Sequence, residues 1–408
     1  MREMKDSGMP WIGKIPNTWD LTKIKFVCKA RNEKGYYQKD KDKYLGLENV
    51  VGFSNTIIET ESSYENGIYD IYKAGDVLFN KLRPYLGKVI ISSDNGFCTG
   101  EFIRLYDFQG DIRFLRYWMI DQSFIDEVDN STYGAKMPRA NSNFILNLAI
   151  PRISYNEQNK IANYLDAKCA DIDALQQDLQ SEIEALKEYK KSVITEAVTK
   201  GLDPDVEMKD SGIPWIGEIP KEWEIFPVKY YFTIGRGRVI SVFDLVENGK
   251  YPVYSSQTEN DGCFGFLNTY DYCGPAITWT TDGAKAGTVF LRDGKYNCTN
   301  VCGILQLRKQ YKAKSNLSFL TYAIGMVANQ NKRYDINGFK IMSNEMANIR
   351  FGVPPISEQN RIADYLDTKC ARIDSIVEDK QKQISTLDEY KKSLIYEYVT
   401  GKKEVPSA

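Results

Sequence analysis

The chain has 408 residues, 42% hydrophobic and 26% charged, with a net charge of −2; this is the composition of a globular protein long enough for two or three domains. It contains no histidine, which excludes Ser–His and Cys–His nucleophile pairs and histidine metal sites together. No apolar run approaches the roughly 18 residues that span a bilayer, and the opening MREMKDSGMPW lacks the apolar core of a signal peptide, so a cytoplasmic protein with no membrane partner is expected.

Residues 1–20 carry EMKDSGMPWIGKIPNTWD, Glu3 to Asp20, which returns at residues 207–224 as EMKDSGIPWIGEIPKEWE. Thirteen of the eighteen positions are identical. Trp11, Trp19, Trp215 and Trp223, set beside Gly and Pro turns, read as apolar anchors that fasten each following domain to the rest of the chain. A sharper reading makes the motif a partner-binding element.

Residues 21–152 form a first variable domain, close to neutral in charge. Asp70 to Ser92 alternates as strands around a tight turn and brings Lys81, Arg83, Tyr85 and Lys88 together. Near the end of the domain, TYGAKMPRANSN carries Lys136 and Arg139.

Residues 153–206 read as one long helix. From Glu157 to about Thr199 there is no Pro or Gly. Leu165, Ile172, Leu179, Leu186 and Val193 recur every seven residues, and Leu175 and Tyr189 stand three after two of them, as in a coiled-coil seam. Ser154 or Asn156 can cap its start and Gly201 its end. About 43 residues at roughly 1.5 Å each extend to roughly 65 Å.

After the repeated motif at residues 207–224, a second variable domain spans residues 225–355. Tyr251 to Leu291 reads strand, polar loop, strand, Gly-rich turn, strand. Its aromatic residues interleave with Gln257, Thr258, Asn260, Thr281, Asp282 and Lys285. KRYDINGFKIMSN then supplies Lys332, Arg333 and Lys340. From Ile225 to Gly352 there are 15 Lys+Arg against 9 Asp+Glu, so a local basic face is compatible with the acidic whole. Both domains end with a Gly-x-Lys loop before the Pro that introduces a long helix. Gly permits close backbone approach, and Lys and Arg supply charge for phosphates or paired contacts to guanine.

Residues 356–408 repeat the long helix, with Leu366, Ile373, Leu387 and Leu394 on its seam and Lys380 interrupting it. ISYNEQNKIANYLDAKCADIDAL at Ile153 matches ISEQNRIADYLDTKCARIDSI at Ile356, and LKEYKKSVI at Leu186 matches LDEYKKSLI at Leu387. Two exposed seams in one chain are satisfied most economically by each other, and antiparallel. The fold class read from this order is α+β: two mixed α/β domains joined by two long helices in an antiparallel coiled coil, with an internal pseudo-two-fold repeat.

Motifs for chemistry are missing. In PDVEMK only Val206 separates Asp205 from Glu207, too close for a nuclease metal pair. GRGRV at Gly235 is too short for a dinucleotide fingerprint, and there is no GxxxxGK[ST] loop. No N-P-P-[YF] or D-P-P-Y segment of an amino-methyltransferase occurs. Cys263, Cys273, Cys298 and Cys302 lack the CxxC spacing of a zinc site and read as small packing residues. No catalytic, cofactor-binding or metal-binding residue is assigned.

The repeated D-S-G-x-P-W-I-G-x-I-P-x-x-W, a variable domain, and then E-Q-x-[KR]-I-A-x-Y-L-D opening a long helix resemble the specificity subunits of type I restriction–modification enzymes. The resemblance covers nearly the whole chain. It departs at Thr18 and Glu222, where that family often has His before the Trp. It implies two target-recognition domains, each binding one half of a split, asymmetric site in double-stranded DNA. The helix pair would set the spacing and dock methyltransferase (modification) subunits that carry S-adenosylmethionine and methylate adenine. Motor-nuclease (restriction) subunits would join for cleavage, and no cofactor would reside in this chain. DNA contacts are then expected at Lys81, Arg83, Tyr85, Lys88, Lys136 and Arg139 for one half-site, and at Gln257, Thr258, Thr281, Lys285, Lys332, Arg333 and Lys340 for the other. Two other classes stay open on the residues alone: a self-contained DNA-modifying enzyme, and a structural coiled-coil adaptor whose variable domains bind protein or carbohydrate.

Overall fold

The computed structural model describes residues 2–134, 136–336 and 338–406. Its contacts divide the chain into two units: residues 1–180 with 381–408, and residues 181–380. The long helices are Tyr155–Lys200 and Ile356–Val399, and each contributes one stretch to each unit.

In the first unit the opening motif is a hairpin, Met4–Asp6 paired antiparallel with Lys14–Pro16. Gly13 lies at φ +70, a conformation costly for any residue with a side chain. The return drives Trp19 into the interior, where its indole N–H donates to Glu157 at 3.2 Å. The strand Asp20–Lys23 then pairs antiparallel with Ala149–Arg152, which leads straight into the central helix. Between them lie two four-stranded sheets. One is antiparallel, in the order Lys29–Ala30, Phe102–Tyr106, Val77–Asn80, Val89–Ile91. The other runs Lys34–Tyr37, Gly67–Tyr72, Gly96–Cys98, Tyr44–Leu45, with its last pair parallel. Val77–Asn80 is buried along its whole length because both its faces are covered. Val77 and Phe79 pack toward helix Ile112–Ile120, and Leu78 packs toward the second sheet.

The second unit repeats this plan. Met208–Asp210 pairs with Glu218–Pro220, and Trp223 is fully buried with its N–H on Glu358 at 3.0 Å. Glu224–Pro227 pairs with Arg350–Val353. One sheet runs Phe232–Arg236, Cys302–Leu307, Ala276–Thr280, Val289–Arg292. The other runs Cys263–Leu267, Tyr251–Tyr254, Lys295–Cys298, Tyr272–Cys273. Three strands of this last sheet match three in the first unit, including the parallel pair. The fourth joins the opposite edge: Lys34–Tyr37 beside Gly67–Tyr72 in one unit, Cys263–Leu267 beside Tyr251–Tyr254 in the other.

Within each unit the long helices pack antiparallel. Ser154 caps the central helix, its Oγ accepting from Glu157 N–H at 3.3 Å, and Gly201 at φ +77 ends it. Asn156 lies inside the first turn. Leu165, Ile172, Leu179, Val193, Leu366, Ile373 and Leu394 are buried and Leu186 and Leu387 half-buried. The residues that alternate with them stand four, not three, positions on. Cys169, Ile183 and Ala197 on the central helix and Cys370 and Tyr398 on the other are buried. Leu175 and Tyr189, expected on the seam, are instead 48% and 49% exposed. A step of three turns a side chain by about 300° and a step of four by about 400°, so on a shared seam the two choices lie on opposite flanks. The partner covers only the flank four residues on.

Of the four tryptophans read as anchors, Trp215 departs: it is 38% exposed. Trp11 rests on Trp118 and Phe124, with ring centroids at 5.7 and 6.0 Å. The corresponding helix of the second unit offers Ala323 and Asn329 there and no aromatic surface.

Candidate nucleic-acid interface

Two loops of the first variable domain are laced by backbone bonds. Arg83 N–H donates to Pro138 at 2.7 Å, Ala140 N–H to Lys81 at 2.9 Å, and Leu82 and Arg139 form an antiparallel bridge. Lys81, Arg83, Lys136 and Arg139 therefore belong to one surface. Arg83 adopts φ +53 and Gly87 φ +58, a left-handed pair that folds Pro84–Leu86 into a single turn and leaves Tyr85 exposed. Arg139 pairs with Glu101. Lys81 is half-buried, and burial pulls its pKa below the usual lysine range, partly opposed by Glu101. Lys136 is exposed, with no ion pair to any described residue. Lys88 does not share the surface: its Nζ donates to the Leu47 carbonyl at 2.7 Å and ties an adjacent loop down.

The second domain laces its loops by the same bonds. Gly283 N–H donates to Phe339 at 3.0 Å, Ile341 N–H to Thr281 at 2.9 Å, and Asp282 bridges Lys340. Gly283 and Gly287 carry the positive φ that Arg83 and Gly87 carry in the first domain. NKLRPYLGKV from Asn80 and TTDGAKAGTV from Thr280 are thus one loop, exactly 200 positions apart in the numbering, sharing only its Gly and final Val. Sequence reasoning placed both stretches in the interface without seeing that they correspond; the single signal was a Gly followed two residues later by Val.

Several expected contacts in this second domain serve the fold. Thr281 is fully buried, and its hydroxyl donates to the Val301 carbonyl at 3.0 Å. Gln257 donates to the Cys263 carbonyl and braces the turn before that strand, and Thr258 beside it is half-buried. Lys285 is exposed at the loop tip, where Tyr85 stands in the first domain. Lys332 lies over the Phe339 ring at 4.7 Å, and Arg333 pairs with Glu345 at 2.6 Å. Lys340 pairs with Arg333 across a short hairpin. Exposed Tyr133, Met137, Tyr334 and Ile336 on the second loops were not singled out from sequence. Nor were Arg236, exposed, and Arg238, paired with Asp271 at 2.8 Å.

The repeated E-Q block positions these surfaces. Gln158 accepts from Asp111 N–H at 2.8 Å and donates to the Ile153 carbonyl at 3.2 Å. Gln359 accepts from Asn316 N–H at 2.9 Å and donates to the Pro354 carbonyl at 2.9 Å. Asp111 and Asn316 are the N-caps of the helices under each variable domain. Asp166 receives Tyr117 at 2.8 Å and Asp367 receives Tyr322 at 2.9 Å. The same three side-chain types, Gln, Asp and Tyr, together with the backbone N–H of an N-cap, thus fix a divergent domain to each long helix. Among the described residues, no group of three or more His, Cys, Asp or Glu could hold a metal, and all eight cysteines are free.

Residues 220–386 match the family model of the type I restriction modification DNA specificity domain. A Mycoplasma pneumoniae protein named as the N-terminus of a type I specificity subunit, S.MpnORF289P, is 40% identical over 144 residues, 35% of this chain and 75% of that one. A second from the same organism, S.MpnORF285P, is 34% identical over 189 residues, 44% of this chain, and the match spans only 60% of that relative's length. A chain solved in work on complex assembly and conformational transition of the type I R-M system has the same fold at 14% identity, with a TM-score of 0.71 over 94% of this chain and 98% of that one. The chain belongs to the family of type I restriction–modification specificity subunits.

Proposed function

We propose that this chain is the non-catalytic DNA-reading subunit of a type I restriction–modification complex, each variable domain contacting one half of a split, asymmetric duplex site. The observation that carries the reading is the laced loop pair. It recurs bond for bond in two domains of unlike sequence, so the scaffold is held constant while the exposed side chains differ. Such an arrangement suits a reader whose two halves face different bases. Family membership supports the same reading. The long helices, held to both domains by the E-Q block, would set the half-site spacing and receive methyltransferase subunits. S-adenosylmethionine and the methyl transfer to adenine would reside in those subunits, and restriction subunits would supply cleavage. No helix among the described residues is long and apolar enough to cross a membrane, which suits a cytoplasmic role.

The test is single-molecule sequencing of host DNA with and without this gene. Loss of N6-methyladenine at one split, asymmetric motif is expected. Unchanged methylation while the intact complex is purified from the same cells would overturn the reading.

A further inference from the structure

One arginine of the first unit lies inside the protein with no carboxylate paired to it. Arg116, on the helix Ile112–Ile120, is 6% exposed. Its Nε donates to the Val89 carbonyl at 3.2 Å, and its guanidinium carbon lies 5.5 Å from the Tyr117 ring centroid. It forms no ion pair with any described residue. Burial pulls its pKa below the usual arginine range, opposed through space by Tyr117, Cys169, Asp166 and Asp173, yet a guanidinium stays charged in a protein. The fold itself does not need this charge. The second unit has Thr321 at the matching place after its N-cap, and the Thr321 hydroxyl donates to the Leu317 carbonyl at 2.7 Å.

Arg116 lines a cavity of about 380 Å³, together with residues of the central helix and residues 53–56. The other charges that line it are already matched: Arg113 pairs with Asp166 at 2.8 Å, and Lys391 pairs with Asp173. Three cations and two carboxylates thus face the space, and the cation left over is Arg116. A buried charge without a counter-charge is costly. Two neutral donors line the cavity as well. Asn55 Oδ1 accepts from Ile91 N–H at 2.8 Å, which fixes the side chain while its amide N–H groups stay available. Thr56 Oγ1 accepts from the Ser54 hydroxyl at 2.6 Å and keeps its own proton to donate. Phe53 N–H donates to the Gly87 carbonyl at 2.8 Å, so the segment that carries these donors is fastened at two points.

We propose that this cavity binds one small oxyanion, a phosphate or a carboxylate group, on the Arg116 guanidinium, with Asn55 and Thr56 as its neutral donors. A guanidinium presents paired N–H groups that two oxygens of one anion can take together, which chloride cannot. The anion balances the one unmatched charge and leaves the Arg113–Asp166 and Lys391–Asp173 pairs intact. Asp166 and Asp173 on the same walls would repel a polyanion, so a single small anion suits the site better than a nucleic-acid backbone. The second unit, with Thr321 in place of Arg116, lacks the buried guanidinium, so each chain has one such site.

The test titrates the full chain with inorganic phosphate and, separately, with sodium acetate, each against chloride at constant ionic strength and pH, and follows both heat of binding and the unfolding midpoint. Saturable binding of one anion per chain is expected, with a midpoint raised by about 2 °C or more at about 10 mM anion. A shift with phosphate alone makes the ligand a phosphate group; a shift with acetate alone makes it a carboxylate. Arg116→Met keeps the apolar stem and should abolish binding while the midpoint in chloride stays the same or rises, because the unmatched charge is gone. Arg116→Lys keeps the charge without the fork and should weaken binding about tenfold, and it decides the matter should the Met variant fail to fold. No saturable binding of either anion by the folded wild-type chain overturns the proposal. So does an anion-dependent shift of equal size in Arg116→Met, since a general salt effect on burial would survive the substitution. Neither DNA nor methylation enters the readout, so failure here leaves the DNA-reading role standing.

Discussion

The two units hold the same backbone plan with different side chains at nearly every functional point. Arg83 takes a left-handed conformation that Gly283 takes freely. Tyr85 stands where Lys285 stands, and buried Thr281 occupies the place of half-buried Lys81. The helix under the first domain breaks at Asp121 into Ile112–Ile120 and Gln122–Asn130, while its counterpart Leu317–Asn331 runs unbroken. What is shared is the set of backbone bonds and the E-Q attachment. Specificity can therefore drift in each domain while the geometry that presents it stays fixed.

The largest effect should come where the units agree. Trp19→Ala and Trp223→Ala each empty a fully enclosed site, and each should cost about 3–5 kcal/mol in denaturant unfolding. Losses differing by more than about 2 kcal/mol would show that the two anchors are not equivalent. Next is the seam. Ile183→Ala should cost about 2–4 kcal/mol, whereas Leu175→Ala should stay within about 0.5 kcal/mol. The reverse order would restore the three-residue alternation.

A third prediction separates the units by pH. Burial pushes the Asp121 carboxyl up to about 6 from 3.8, and its Oδ2 has no hydrogen-bond partner. A folded pKa above the unfolded one means that stability is fully present below about pH 4 and is lost as pH rises through 6, by up to about 3 kcal/mol. Asp121→Asn, which keeps a capping oxygen, should remove this dependence and raise stability at pH 8 by about 2 kcal/mol, read from melting between pH 4 and 8. The second unit has Met326 at the matching place and should show no such loss. The smallest effect is expected at exposed Lys136. Lys136→Ala should weaken DNA binding by the assembled complex a few-fold for every sequence and reduce the salt slope by about one. A change confined to one half-site would instead make Lys136 a base contact.

Much of this was legible in the residues. Motif duplication and seven-residue spacing sufficed for the two long helices and their antiparallel pairing, because periodicity is a property of the helix alone. The seam's second column was misread because Leu175 and Tyr189 are apolar, while true seam positions include Gln176, Lys190 and Lys391. Those are polar residues held by partners: Gln176 on Asp388 at 2.8 Å, Lys190 on Asp374 at 2.6 Å, Lys391 on Asp173. Lys380, read as an interruption, pairs with Glu182. Hydropathy cannot show a charge satisfied across a helix pair. The kinship of the two variable domains was hidden for a similar reason. Their common feature is backbone hydrogen bonding, which almost any side chain permits. Lys88, Thr281 and Gln257 each donate to a neighbouring carbonyl, a bond that residue type alone does not distinguish from a ligand contact.

The first unit's core contains Ile161 and Leu165 but also Leu394, Ile395, Tyr398 and Val399. On the ribosome, residues 181–380 can emerge as one uninterrupted piece, whereas the unit begun before it must wait for residues 381–408, which are translated after it. Order of synthesis and order of completion are thus reversed. A message cut short before Leu394 yields a chain whose first unit still has an open interior, a natural target for chaperones and proteases.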